Sequence, residues 1–245
     1  MNLDFTEKRE ARDIGELVLN GHVELVLRRG PAPTLVIRGS SAKALTQVRT
    51  EFKGRRLEIT GEGNTISSNG GSINMVNYTP GAVQVGHVSG SMQVFHGTVG
   101  SVVTGDIVHL GRRSRDDNQD TLDAAQVELT LPQVEVLRVH GSCEVDLDDL
   151  RQARLAVKVE GSGRIEATGK VDSLEVDVSG SGSLRMRDLI AKAADIDVSG
   201  AGQVRATAQD RVRASVSGAG HIKIYGNPPN RTADVSGMGR IKFKD

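Results

Sequence analysis

In the second half of the chain apolar and polar residues alternate, and glycine breaks the alternation at a regular beat. Gly141, Gly161, Gly180, Gly200, Gly218 and Gly237 each open a corner of small residues, at spacings of 20, 19, 20, 18 and 19 residues. Two positions before them every copy has valine: Val139, Val159, Val178, Val198, Val216 and Val235. Four before come Leu137, Val157, Val176, Ile196, Ala214 and Ala233; four after come Val145, Ile165, Leu184, Val204, Ile222 and Ile241. The positions between are mostly polar: Arg138, Lys158, Asp177, Asp197, Ser215 and Asp234 before the corner, and Asp146, Glu166, Arg185, Arg205, Lys223 and Lys242 after it. Period-two alternation rich in β-branched residues is the pattern of half-buried strands. A unit that recurs this regularly predicts a solenoid, in which each coil stacks on the last.

The predicted fold class is therefore all-β: a parallel β-helix or solenoid with coils of about 19 residues, an N-terminal strand segment and a β-rich insertion. Each coil reads as a strand, a glycine corner, a second strand and a short return. Like strands of successive coils lie parallel about 4.8 Å apart, so six coils make a section roughly 25–30 Å long. The six corner glycines are structural in this reading. A sharp corner repeated in register needs unusual backbone angles or a close approach of neighbouring coils.

Residues 1–63 show shorter alternating runs, LVLNGHVELVL, PTLVIRGS and RRLEITGEG, punctuated by Asn20-Gly21, Arg29-Gly30-Pro31 and Lys53-Gly54. They predict paired strands that begin or cap the solenoid and cover an open sheet edge. The stretch SSAKALTQVRTEF suggests a helical turn. Residues 64–133 break the pattern. They are rich in glycine and valine and nearly uncharged until Asp106, and Gly86, Gly90, Gly97, Gly100 and Gly105 come too fast for such coils. A β-arm or extra short coils are expected, folded on the rod or on a neighbouring subunit, followed by the polar loop RRSRDDNQD. Residues 134–245 form the six-repeat solenoid, and the whole reads as one continuous domain.

The run VELVLRRG, with RRLEITG, the recurring VDVSGSG and the late VSGAGHIKIYGNP, resembles the head GIN domain of putative autotransporter adhesins, a bacterial family with a β-helical fold. The resemblance covers roughly residues 10–62 and 134–245. It implies a β-helix and a surface-adhesin role, and it supplies no catalytic residue.

Charge and composition narrow the function further. With 31 acidic and 31 basic residues the formal net charge is zero, so no global field recruits nucleic acid. There is no tryptophan, and the other aromatics are Phe5, Phe52, Tyr78, Phe95, Tyr225 and Phe243. Base-stacking and sugar-stacking platforms are poorly supplied. No run approaches the roughly 20 apolar residues of a membrane span. The opening MNLDFTEKREAR carries charges where a secretory signal needs an apolar core. As written, the chain reads as cytoplasmic, or as a cell-surface protein if an export signal has been removed.

Candidate chemistry is sparse. Arg185, Arg205, Lys223 and Lys242 form a basic strip that could hold an anionic polymer or partner, with Asp177, Asp197 and Asp234 across the corner expected to offset part of its charge. His87, His96 and His109 fall in the insertion without metal-ligand spacing, so no metal is assigned. Asp146, Asp148, Asp149, Glu160 and Glu166 are the carboxylates a polysaccharide-active β-helix enzyme would use, which needs a cleft and one raised pKa. The glycines open no helix, which excludes a phosphate cradle. Cys143 replaces the glycine of the other copies and is expected to be a small buried thiol. No catalytic residue and no cofactor is predicted. The sequence thus points to a non-catalytic scaffold or binding module, a homo-oligomer joined through residues 64–111 or the solenoid ends, with a protein or polysaccharide as the other partner. The alternatives are a cell-surface adhesin or envelope module and a polysaccharide-active enzyme.

Overall fold

A computed structural model describes residues 3–62, 66–68, 71–79, 82–88 and 124–244. The N-terminal strands are β1 (Phe5–Arg9), β2 (Glu16–Gly21), β3 (Glu24–Arg29), β4 (Thr34–Gly39), β5 (Val48–Lys53) and β6 (Arg56–Gly61), with one helical turn, α1 (Ala42–Thr46), before β5. The insertion contains β7 (Ile66–Ser68), β8 (Gly71–Thr79) and β9 (Ala82–Val88). The remaining strands are β10 (Ala125–Leu131), β11 (Val136–Gly141), β12 (Glu144–Gly161), β13 (Arg164–Val178), β14 (Ser183–Val198), β15 (Gln203–Val216), β16 (His221–Tyr225), β17 (Asn230–Val235) and β18 (Arg240–Lys244).

From β11 to β18 like strands pair in parallel and in register, with Val139 on Val159, Val159 on Val178, Val178 on Val198 and Val198 on Val216. The predicted β-solenoid is what forms, and its six corners bound about five chain-continuous turns. The inward valines, leucines and isoleucines from Leu137 to Ile224 are almost fully buried in one continuous core. Burial at about 1.5–3 kcal/mol per large aliphatic side chain is the driving force that orders the stack. In the last coil, inward-facing Ile241 and Phe243 are half-buried and Val235 is 44% exposed.

The glycines have one cause in common. A Cβ at any of the six would lie 2.2–2.7 Å from the carbonyl oxygen of the corner glycine in the preceding coil. Positive φ, the other possibility, holds at Gly141, Gly161 and Gly237 and not at the three between. Close approach of coils, rather than backbone angle, is what every corner requires. The corner amides are also occupied. The N–H of Ser162, Ser181, Ala201 and Ala219 donates to the carbonyls of Gly141, Gly161, Gly180 and Gly200 at 2.8–3.0 Å.

Two features differ from the sequence reading. The return is itself laddered: Leu150, Arg151 and Gln152 pair with Gly169, Lys170 and Val171, and these pair with Leu189, Ile190 and Ala191. The register shift just ahead of this run hides its alternation in the sequence. In addition, β2 and β3 pair not with each other but each with a strand of the stack, β2 between β6 and β11 and β3 between β10 and β12. Residues 16–29 are thus a coil in their own right, and Gly61 and Gly21 continue the corner column ahead of Gly141.

The cap lies further out. β4 runs antiparallel to both β1 and β10, and β5 antiparallel to β6. The helical turn expected from the sequence is α1, whose N-cap Ser41 accepts a hydrogen bond from the Ala44 N–H at 3.1 Å. Arg9 ties β1 to this cap by donating to the carbonyls of Val48 and Leu45 at 2.6 and 3.2 Å. Strands β7, β8 and β9 form a separate antiparallel sheet inside the insertion, and β6 before it and β10 after it both belong to the large sheet. His96 and His109 lie outside the described residues, as does the rest of the segment from 89 to 123.

Candidate functional site

The strand that precedes each corner and the strand that follows it both turn alternate side chains to solvent, so each coil adds one rung to two outward columns. On the face after the corner, register runs Asp146, Glu166, Arg185, Arg205, Lys223, Lys242. On the face before it, register runs Arg138, Lys158, Asp177, Asp197, Ser215, Asp234. The structure therefore brings the four residues of the basic strip onto adjacent rungs of one ladder. Both columns change sign between the same two coils, in opposite directions. The sequence lists these residues in order, but only the register shows that the reversals coincide.

Most bases near the reversal are engaged. Arg185 binds Glu166 at 2.9 Å, Arg164 binds Glu166 at 3.3 Å, Lys158 binds Glu175 at 3.4 Å, and Arg138 binds Glu16 at 2.7 Å. Beyond it, Arg205, Lys223 and Lys242 make no ion pair among the described residues, and neither do Asp177, Asp197 and Asp234. The offset expected across the corner is thus not made by contact. Among the described residues Asp146 also has no basic partner. Its partial burial, then the neighbouring Glu166, Asp148, Glu144 and Glu24, push its carboxyl above the ordinary aspartate range.

The remaining candidates separate. Asp148 meets Arg28 at 3.5 Å, Asp149 meets Arg151 at 3.1 Å, and Glu160 meets His140 at 3.1 Å. Asp148 neighbours Asp146 on the outward face of β12, whereas Asp149 and Glu160 are held elsewhere by their own partners, so the five carboxylates do not gather at one point. A depression of about 370 Å³ on the face before the corner is lined by Glu175, Asp195, Arg211 and Arg213 among others, so its acids sit beside bases. Among the described residues no group of three His, Cys, Asp or Glu side chains could hold a metal.

Cys143 is buried at 2% exposure, with its Sγ 3.6 Å from the Gly21 carbonyl. Among the described residues it is the second of its column. Val23 precedes it one coil earlier, and the glycines that follow make room for valine methyls, as at Gly202, whose Cβ would meet Val178 Cγ1 at 2.7 Å. Burial pushes the thiol pKa up to about 11. At pH 8 the folded chain should react with a disulfide reagent at least about 100-fold more slowly than an exposed thiol, from its thiolate fraction alone. Labelling of the native protein at the rate of free cysteine would contradict this placement.

No helix of the described residues is long and apolar enough to cross a membrane. No curated protein matches the chain. Among solved structures, a putative adhesin from Bacteroides fragilis is 14% identical, with a TM-score of 0.59, over 98% of this chain and 96% of that one. A putative adhesin from Parabacteroides distasonis (15% identity, TM-score 0.45) and a putative lipid binding protein from the same species (15%, TM-score 0.43) align over the same shares of each chain. The first of these likenesses shows the fold. The sequence itself matches one family over residues 15–228, and this chain belongs to it: the head GIN domain family of putative auto-transporter adhesins.

Proposed function

We propose that the chain is a non-catalytic binding module of adhesin type that self-associates, with the solenoid as its scaffold. The observation that carries the non-catalytic part is where the polar chemistry goes. Corner amides donate to the preceding coil, the interior is apolar, and Gln47 is the only buried polar or charged residue among those described. What is left to act is outer surface, which suits binding rather than catalysis.

Self-association is supported by strand edges. Sheet β7–β8–β9 has two edge strands without a further neighbour among the described residues, and β17 and β18 at one end of the stack have a neighbour on one side only. Exposed edges of this kind template pairing with another chain. The family relationship favours the surface setting for such a module, as an adhesin or envelope component.

Deleting residues 64–111 tests the insertion's part in this. Light scattering should show a defined oligomer for the full chain and a smaller species for the deletion variant, with far-UV circular dichroism unchanged in the solenoid. A full chain that is a monodisperse monomer would overturn the self-association reading.

A further inference from the structure

The two charged columns complement each other coil by coil. The rung at Gly141 carries Arg138 before the corner and Asp146 after it; the next carries Lys158 and Glu166. Then the signs exchange: Asp177 with Arg185, Asp197 with Arg205, and Asp234 with Lys242, Ser215 alone being neutral opposite Lys223. Within one chain the members of the outer pairs do not touch, because the corner turns them onto different faces. Asp177, Asp197, Asp234, Arg205 and Lys242 keep no ion-pair partner among the described residues.

We infer that a second copy of this chain docks side by side with the first, rods parallel and rungs level, its after-corner face on the before-corner face of its neighbour. Every charged rung then meets its opposite: Arg138 and Lys158 face the second copy's acids, and Asp177, Asp197 and Asp234 face its bases. The sign reversal makes this register specific. Turning one rod end for end sets Arg138 against Lys242 and Asp234 against Asp146, and like charges in contact oppose that arrangement. A uniform strip would accept any register. The contact uses two different faces, so it is heterologous, and a docked pair still presents one free face of each kind to further copies. Six rungs about 4.8 Å apart and three outward residues wide cover roughly 400–450 Å² per copy. That is the low end for a specific interface, so each contact is weak and salt-sensitive.

An extended anionic polymer would meet the basic strip but leave the acidic column and the coincident reversal without a role. A closed dimer through two after-corner faces would pair Glu166 with Arg185 and leave Asp177 and Asp197 unused. The inference deepens the self-association proposed above and gives it a surface other than the insertion.

Sedimentation velocity of the full chain at about 20 mM and 500 mM salt, where the Debye length falls from roughly 20 Å to about 4 Å, tests it. Concentration-dependent association beyond a dimer is expected at low salt and its loss at high salt. Asp197→Arg and Arg205→Glu should each weaken association about tenfold, and the double variant D197R/R205E should restore it to within about threefold, because the swapped charges meet again across the contact. Both positions are exposed, so unchanged circular dichroism should accompany all three variants. Association that R205E weakens, that D197R leaves alone and that the double variant fails to restore would assign the closed dimer instead and overturn the inference. A low-salt monomer retained on sulfated dextran and released by R205E would give the strip to an anionic polymer and overturn it too. Assembly lost on deleting residues 64–111 but indifferent to the charge variants would refute the lateral contact while upholding the insertion; a low-salt monomer would sink both.

Discussion

Gly180→Ala is expected to lower the stability of the solenoid by about 2–4 kcal/mol, the range of overpacking combined with local backbone strain. The added Cβ would sit 2.2 Å from the Gly161 carbonyl oxygen and 2.8 Å from its nitrogen, and both are backbone atoms that cannot rotate away. Gly180 has no positive φ, so conformation is no obstacle and the whole effect comes from coil spacing. Relieving the clash means prising two coils apart, which weakens the hydrogen bond from Ser181 N–H to that same carbonyl, 2.8 Å long. Thermal unfolding by circular dichroism should fall by roughly 5–15 °C for a chain of this size. Gly54→Ala is the contrast. Gly54 has φ +62° but nothing within 4 Å of its Cβ position, so it should cost only about 1 kcal/mol. Equal losses at the two sites would mean that coil spacing does not set the corner.

Ile196→Ala should cost about 3–4 kcal/mol, within the range of about 2–5 kcal/mol for large-to-small core changes. Ile196 is fully buried and stacks between Val176 of the previous coil and Ala214 of the next. Its backbone is held on both sides by ladder hydrogen bonds, and neighbouring coils cannot close up to fill the space. A cavity that cannot collapse keeps its full penalty. With Ala214 as one neighbour, the column is already lightly filled there, and no large side chain stands ready to move in. Denaturant unfolding should show a reduced midpoint with an unchanged slope. A loss below about 1 kcal/mol would mean that the coil repacks and that the column is looser than its burial implies.

The columns were legible because a solenoid repeats each side chain's environment once per coil, so an inward-facing position returns as valine six times. The N-terminal coil carries the same signature. Leu17, Leu19, Gly21, Val23, Leu25 and Leu27 stand at the same offsets as Leu137, Val139, Gly141, Cys143, Val145 and Leu147. It was hidden by Asn20-Gly21, a pair that ordinarily marks a hairpin turn, and by leucine in place of valine. The chain also visits the coils out of order there. Residues 56–61 lie outside residues 16–21, which in turn adjoin residues 136–141, and no linear period can display that. The candidate site was half legible. The basic strip follows from column alignment, whereas the coincidence of the two sign reversals depends on level rungs, and the failure of Asp177, Asp197 and Asp234 to reach the strip depends on the angle at the corner.

The corner glycines most directly separate a structural stack from a ligand-binding loop. Amide hydrogen exchange of the full chain, read residue by residue, should find Ser162, Ser181, Ala201 and Ala219 protected as strongly as the strand amides beside them, since each donates to the carbonyl of the coil before at 2.8–3.0 Å. Protection should recur once per coil along residues 137–225. Fast exchange at these four corners between protected strands would mean that their N–H groups are free to bind something else, and would contradict the architecture described.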